Sequence, residues 1–469
     1  MSIKKYIAEA DTTITDAYQP YSSARAHYSN MGASDSLQVF SIAHKDLAPE
    51  LCRILVRFPI SKIIEDRSSG ALPASGSMKF FLNLYNVEHP ETLPTNYEMV
   101  VKPVSGSWEE GFGLDLENFL DLGQTQTGGY GVGWKYRSSI EVPYVWASDG
   151  GDYYDTYHKY FHFQNGTEDL KVDITDVVER QISGDMPNHG FGIMLADQYE
   201  TGSSGISYYT KRFSSRSSQY FYNLPCISAV WESLIEDDRN NFYYSIDNLS
   251  EEDNKHSIYF FNKINGSYKN LPSNIIPFVK IIDSNNNIIL DNIQSQKISN
   301  GKFKATFSLT GSTEETYTDV WYSGSQTYYS GEIQAKSYEF NNSIEVNRNI
   351  INITNLKKKY SKDEVATLRI FVRNKDWSPN IYKKFTQDIE TINLKDLYYK
   401  IIRIVDNKIV LDYGYNDVKY TKCSYDINGN FCEIDMSILE PGFMYGICFT
   451  SKNDDTKIEY KDIFKFKVE

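Results

Sequence analysis

His158 and His162 stand four residues apart in Tyr157-His158-Lys159-Tyr160-Phe161-His162 and share a face on either a strand or a helix. Such a pair can open a metal site, but zinc needs a third ligand, and no neighbouring residue supplies one. Solvated or hydrogen-bonded imidazoles are the expectation. Trp108-Glu109-Glu110 brings two carboxylates together, the groups that glycosidases set on either side of a scissile bond. Neighbours along a strand point to opposite faces, so Glu109 and Glu110 do not line one groove. Asp283-x-Asn285-x-Asn287 and Asp426-x-Asn428-x-Asn430 begin like calcium loops. An EF-hand requires Gly at the sixth position and Glu at the twelfth. Here those positions hold Ile288 and Gln294, and Phe431 and Ser437, so both segments read as hairpin turns. Gly129-x-Gly131-x-Gly133 lacks the Gly-Lys-Ser/Thr of a phosphate loop, and no Gly-x-Ser-x-Gly elbow occurs. The residue chemistry therefore points away from an enzyme.

Aromatic residues offer a different chemistry. Tyr153, Tyr154, Tyr157, Tyr160 and Phe161 form one sequence cluster, and Tyr208, Tyr209, Tyr220, Phe221 and Tyr222 another. Exposed rings of this kind anchor protein interfaces and stack on sugars. Core packing is expected to absorb about half of them.

These residues must be positioned by strands. The chain of 469 residues has 37 Tyr and 25 Phe, and residues of this type suit pleated, half-buried surfaces. Two-residue alternation recurs, as in Arg53–Phe58, Lys79–Tyr85 and Thr367–Val372. Asn265-Gly266, Asn300-Gly301 and Asn428-Gly429 are hairpin dipeptides, because Asn and Gly tolerate positive φ. The strongest helical pattern runs from Asp173 to Ile182, with Asp173 or Thr175 to cap it and Gly184 to end it.

The formal net charge is −14, a surface that repels phosphate backbones and excludes a nucleic-acid role. There are five Cys and no Cys-x-x-Cys, which argues against a disulfide scaffold or a zinc site. Cys423 and Cys432 flank a hairpin turn. A cross-strand pair is open to them, although synthesis in a reducing compartment favours thiols. The N-terminus has no apolar core of signal-peptide length, and no run reaches the roughly 20 apolar residues of a membrane span. The expectation is a protein made in the cytosol, without membrane insertion.

Composition shifts near Glu232, after which Asn, Ile and Lys dominate. The charged, polar stretch Glu236-Asp237-Asp238-Arg239-Asn240-Asn241 reads as a linker or boundary, and a second break falls near Ser337. The chain is thus read as three β domains, 1–233, 240–337 and 338–469. The last two have the size and strand count of immunoglobulin-like sandwiches.

The first domain carries an ordered set of features. They are Asp11 in an opening strand, Asn30-Met31-Gly32, Arg53-Ile54-Leu55-Val56-Arg57-Phe58, Trp108-Glu109, Asp173-Ile174-Thr175, and Pro225 leading a closing strand. This order resembles the DNRLRE-type domain, a jelly-roll β-sandwich related to carbohydrate-binding modules, over nearly all of residues 6–232. The long Gly/Tyr-rich insertion from about Leu114 to Phe161 departs from that pattern and is expected to form an exposed loop or contact surface. Related sugar-binding modules often carry structural calcium, for which the resemblance leaves Asp149 and Asp152 as candidate ligands. With Arg373–Pro379 and Ser424–Asn430, most of the chain also resembles virion structural proteins of tailed phages. That resemblance implies a non-enzymatic particle component of the tail, baseplate or neck. It would work in multiple symmetric copies against other virion proteins. Head decoration and host-glycan binding are the alternatives. Tyr153, Tyr154, Tyr157, Tyr160, Tyr208 and Tyr209 are the candidate contact residues.

Overall fold

The computed structural model describes residues 3–19, 23–44, 48–89, 94–114, 131–138, 144–201, 206–338, 349–375, 391–414, 419–453 and 456–469. The chain is all-β and divides into two compact units, Ile3–Trp231 and Glu232–Glu469. Among the described residues, no helix is long and apolar enough to cross a membrane.

The first unit contains eleven strands: β1 Ile3–Ile7, β2 Ala10–Thr15, β3 Ser36–Ile42, β4 Glu50–Arg57, β5 Met78–Leu84, β6 Tyr97–Pro103, β7 Lys159–Phe163, β8 Leu170–Asp173, β9 Phe191–Leu195, β10 Tyr208–Ser214 and β11 Cys226–Trp231. They form a four-stranded sheet, β1-β11-β5-β8, and a larger one, β10-β3-β4-β9-β6-β7, with β2 also along β4. All these pairings are antiparallel. β5 alternates as a one-sided strand should, burying Met78, Phe80, Leu82 and Leu84. β9 is buried at every residue, and β4 buries Ile54, Leu55 and Val56 in succession. The larger sheet is therefore covered on both faces.

Two short helices close the unit. In α2, Thr175–Ser183, the Asp173 carboxylate accepts from the Thr175 N–H and hydroxyl, and Gly184 at φ 87° ends the helix. The sequence pattern anticipated this helix. It did not anticipate α1, Ile60–Ser69, which follows Pro59 and ends at Gly70, with only Ile60 and Ile63 buried. A four-residue turn of helix, α3, spans Asp197–Glu200.

The second unit holds two sandwiches. The first comprises β12 Phe242–Tyr243, β13 His256–Phe261, the small hairpin β14 Lys263–Ile264 and β15 Ser267–Tyr268, β16 Phe278–Ile282, β17 Ile288–Ser299, β18 Lys302–Phe307, β19 Glu315–Ser323 and β20 Gln326–Lys336. β17 pairs with β16 along its first half and β18 along its second, so it passes from one sheet to the other. The sheets are then β12-β20-β19-β16-β17 and β17-β18-β13. Fully buried Trp321 lies in a core with Phe260, Val279, Ile281, Phe303 and Ile333. Asn265 and Gly266 both take positive φ, 49° and 79°, as a tight hairpin turn requires.

The last sandwich comprises β21 Asn349–Ile353, β22 Lys359–Tyr360, β23 Val365–Asn374, β24 Leu397–Arg403, β25 Ile409–Leu411, β26 Ser424–Asp426, β27 Gly429–Asp435, β28 Met444–Asn453, β29 Thr456–Glu459 and β30 Phe464–Val468. Its sheets are β21-β23-β27-β26 and β22-β30-β28-β24-β25, with β29 beside β28. In chain order these reproduce the ABED and CFG sheets of the immunoglobulin fold. In both sandwiches a short early strand runs parallel to the last one, β12 with β20 and β22 with β30.

Candidate interaction surface and the polar networks behind it

The register of β4 explains the arginine-rich strand. Arg53, Leu55 and Arg57 alternate with Ile54 and Val56, so the two sets point to opposite faces. Leu55 packs with Ala10, Ile14, Val104, Trp108, Val132, Trp134 and Trp146 in one buried cluster. Val104, Trp108, Val132, Trp134 and Trp146, between β6 and β7, thus lie over the face of the larger sheet that Leu55 occupies. The Arg53 guanidinium sits 5.1 Å from the Trp134 ring, and that of Arg57 lies 5.2 Å from Trp108. Arg53 also forks onto Glu200, at 3.1 and 2.6 Å, and donates to the Gly150 carbonyl at 2.9 Å.

Residues 115–130 and 139–143 of the insertion lie outside the described ones. In the described remainder Trp134 and Trp146 are buried, beside Trp108 just before it, while Tyr144 and Tyr160 are exposed. Trp108 donates its indole N–H to the His189 carbonyl at 2.7 Å, and Trp146 donates to Gly133 at 3.1 Å.

A second network ties the insertion to the strand edges. Asn30, fully buried, donates to the carbonyls of Glu110 and Val132 at 2.8 and 2.9 Å. Its own carbonyl accepts from Gly32 at 3.2 Å and Gly113 at 2.9 Å. Glu110 pairs with the Arg216 guanidinium through both oxygens and accepts from the Asp11 N–H at 2.7 Å. Asp11 accepts from the Arg216 N–H at 2.6 Å, while its Oδ1 has no hydrogen-bond partner among the described residues. Burial pushes the Asp11 carboxyl up to about 7. Asp11, Asn30 and Glu110 thus share one network around residues 110–113, Val132 and Arg216, while Arg53 and Arg57 serve separate contacts. The Trp108-Glu109-Glu110 pair offers no glycosidase geometry, because both Glu110 oxygens are committed.

A third buried cation lies in β10. Lys211 is flanked by the rings of Phe163 and Phe213 and donates to Asn86 Oδ1 at 2.6 Å and to the carbonyls of Gly166 and Glu168 at 2.9 Å. Burial pulls its ammonium down to about 8.

The predicted contact tyrosines disperse. Tyr153 is not a surface ring. It packs against the tryptophan cluster, bonds the Gly150 carbonyl at 2.8 Å, and lies over Gly192, where even a methyl group would overlap it. Burial raises its phenol to about 12. Tyr154 is half-buried, and Tyr157 lies 4.8 Å from the Arg180 guanidinium. Tyr208 packs against Tyr97 and Tyr199, with centroids 6.1 and 4.7 Å away. Tyr209 belongs to β10, and its side chain lies outside the described residues. Tyr160 alone of the set is well exposed, at 56%. His158 and His162 do not meet at a metal: His158 bonds the Asp155 carbonyl at 2.5 Å. The Asp152 carboxylate accepts from the Ala147 and Ser148 N–H groups, both at 2.9 Å, and Asp149 is exposed beside it. Among the described residues, no group of three acidic, His or Cys side chains is placed to hold a metal. The calcium-loop lookalikes are turns, with Asp283 accepting from Asn285 and Asn287 at 2.8 and 2.7 Å.

A further aromatic patch joins exposed Tyr28 to half-buried Tyr136 and exposed Tyr144 of the insertion. Tyr28 stacks on Tyr136 with centroids 5.1 Å apart and planes 25° from parallel. Tyr144 stands beside the Arg137 guanidinium at 5.4 Å. Tyr136 is bridged to Val145, so two aromatic-bearing segments run side by side. No clustering in sequence announces this patch, because Tyr28 and Tyr136 are 108 residues apart.

In the second unit the segment read as a linker or boundary is buried at Asp237, Asp238 and Arg239. Arg239, 3% exposed, bonds Asp319 at 3.0 and 2.8 Å and also pairs with Asp237. Asp319 accepts further from the Trp321 indole at 2.7 Å. Asp238 accepts from the Tyr425 hydroxyl at 2.8 Å and the Ser257 N–H at 3.0 Å. The Tyr425 N–H donates to Ile235 and its carbonyl accepts from Asp237, while Lys422 pairs with Glu236 at 2.9 Å. This segment thereby fastens the two immunoglobulin-like sandwiches to one another. Burial raises the Asp237 carboxyl to about 7 against the pull of Arg239.

The sheets, networks and exposed rings together define a tandem β-sandwich protein whose charged groups serve the fold. No protein-family model matches the chain, and no curated protein matches it. Solved structures it is similar to include the N-terminal Ig1-2 module of the Drosophila receptor protein tyrosine phosphatase DLAR. That match has 11% identity and a TM-score of 0.15, over 46% of this chain and 91% of that one. A four-Ig N-terminal fragment of Dscam1 isoform 4.4 matches at 12% identity and a TM-score of 0.13, over 46% of this chain and 52% of that one. Salmonella alpha-2-macroglobulin matches at 9% identity and a TM-score of 0.15, over all of this chain and 34% of that one. The fold assignment rests on the strand order given above.

Proposed function

We propose that this chain is a structural component of a tailed-phage virion, a tail, baseplate or neck accessory protein that acts by assembly with other virion proteins. One observation carries the reading. The side chains with the most chemistry, Asp11, Glu110, Arg53, Glu200, Arg239 and Asp319, are spent on holding loops and the joint. What the chain presents outward is sandwich surface with exposed aromatic and aliphatic residues, the material of interfaces. The strand order supports the jelly-roll reading of the first unit. Numbering β1, β4, β5, β6, β7, β8, β9 and β11 in sequence, the sheets run 1-8-3-6 and 2-7-4-5, early strands alternating with late ones as in a double Greek key. Repeated copies around a particle axis would add avidity to each weak contact. Quantitative mass spectrometry of purified particles tests the proposal. The chain is expected at a fixed stoichiometry with the major structural proteins, and its absence from particles overturns the reading.

A second reading, recognition of host glycans, is favoured by the stack of exposed Tyr28 on Tyr136 and the neighbouring exposed Tyr144. A glycan array probed with the full chain and with Tyr136→Ala decides it. Absence of binding retires this reading and leaves the first intact.

A further inference from the structure

Cys423 and Cys432 are buried free thiols at the hairpin that carries the joint. In that hairpin Ser424 lies opposite Phe431 and Asp426 opposite Gly429, so the register continued by one residue sets Cys423 opposite Cys432. The Cys423 N–H donates to the Leu397 carbonyl at 2.7 Å, and the Tyr425 N–H donates to Ile235, so neither turns toward β27. The pair is therefore a position at which antiparallel strands exchange no backbone hydrogen bonds. At such positions Cα atoms stand about 4.5 Å apart, with side chains on one face. That spacing lies inside the range a disulfide spans, about 4.4–6.8 Å.

We propose that Cys423 and Cys432 form a reversible cross-strand disulfide once the chain meets a disulfide-class oxidant such as glutathione disulfide. One thiolate attacks the oxidant, forming a mixed disulfide and releasing one glutathione thiolate. The second cysteine, as thiolate, attacks the protein sulfur of that mixed disulfide and expels the other glutathione. The protein loses two electrons and two protons, and one glutathione disulfide becomes two glutathione thiols. Both thiols are buried, so reaction requires local opening of the hairpin and is slow in the folded protein. The bond would pin β26 to β27, the hairpin whose Ser424 and Tyr425 hold residues 235–238. The chemistry holds whether or not the chain sits on a particle.

The test equilibrates the full chain with glutathione disulfide, then denatures and alkylates it. Three of the five cysteines are expected to alkylate, and one linked peptide pair should contain Cys423 and Cys432. The unfolding midpoint of the second unit should rise by about 5–10 °C, reversed by reductant. In Cys432→Ser no linked peptide pair should form, Cys423 being recovered alkylated or as a glutathione adduct, and the oxidant should not raise the midpoint. Alkylation of all five in the wild type, a link between other cysteines, or arrest at a glutathione adduct overturns the proposal. The wild-type mapping decides alone if the variant does not fold.

Discussion

Arg239→Met tests the joint most directly. The guanidinium is bonded to two buried carboxylates, Asp237 at 3% and Asp319 at 0% exposure. Removing it leaves Asp319 with the Trp321 indole and Asp237 with the Arg239 N–H at 3.3 Å. Taking one partner from a buried ion pair costs about 3–5 kcal/mol. For a cooperative unit of this size that corresponds to a midpoint lowered by about 10–20 °C. Calorimetry of the full chain reads it, with Trp321 emission as a second probe. The triple variant Arg239→Met, Asp237→Asn, Asp319→Asn removes all three charges and is expected to regain at least half of the loss. The pH dependence supplies an independent check. A carboxyl held at about 7 in the fold and 3.8 unfolded keeps its proton only in the native state between those values. Its contribution is full below about pH 4 and is lost as pH rises to about 7, at about 1.4 kcal/mol per pH unit. Asp237→Asn should flatten that slope. A single-variant cost under about 1 kcal/mol, or a triple variant no better than the single, refutes the reasoning.

Three further substitutions probe the first unit. Asn30→Ala removes four buried hydrogen bonds and should cost about 3 kcal/mol or more in urea unfolding. Gly192→Ala drives a methyl into the Tyr153 ring and should cost about 1–3 kcal/mol, and clearly less in a Tyr153→Ala background, as a double-mutant cycle will show. Lys211→Met leaves three carbonyl oxygens without their donor and should cost about 2–4 kcal/mol, read from the same denaturation curves.

Local signals were legible where one face and one turn decide the outcome. The alternation of Met78–Leu84, the Asn-Gly hairpins and the Asp173 cap each act within a few residues, so the sequence states them outright. The outer cover of the larger sheet was not legible. The alternation of Arg53 and Arg57 in a strand does not say what covers them, and only the tertiary return of Trp108 and Trp134 turns it into a stacking pattern. The segment Glu236–Asn241 was not legible for the same reason. A run of charge signals solvent unless partners arrive from elsewhere, and Asp319, Ser257 and Tyr425 come from positions 19 to 187 residues away. The aromatic clusters misled in the opposite direction, since sequence proximity put Tyr153 and Tyr160 on different surroundings.

The two illegible features share a physical logic. A buried guanidinium between carboxylates adds little net stability over a well-packed apolar substitute, because desolvation offsets most of the attraction. It does constrain geometry, since a planar fork satisfies its acceptors in only one arrangement. At Arg53 the fork fixes where the insertion lies on the sheet, through Glu200 and Gly150. At Arg239 it fixes the joint segment against β19, while Asp238 next to it holds Tyr425 of the following sandwich. Both sites lie where loops or domains, rather than strands, must be placed, and strand pairing alone supplies no register there. For a chain proposed to work by presenting surfaces to neighbours, positional definition at those two places counts for more than additional stability.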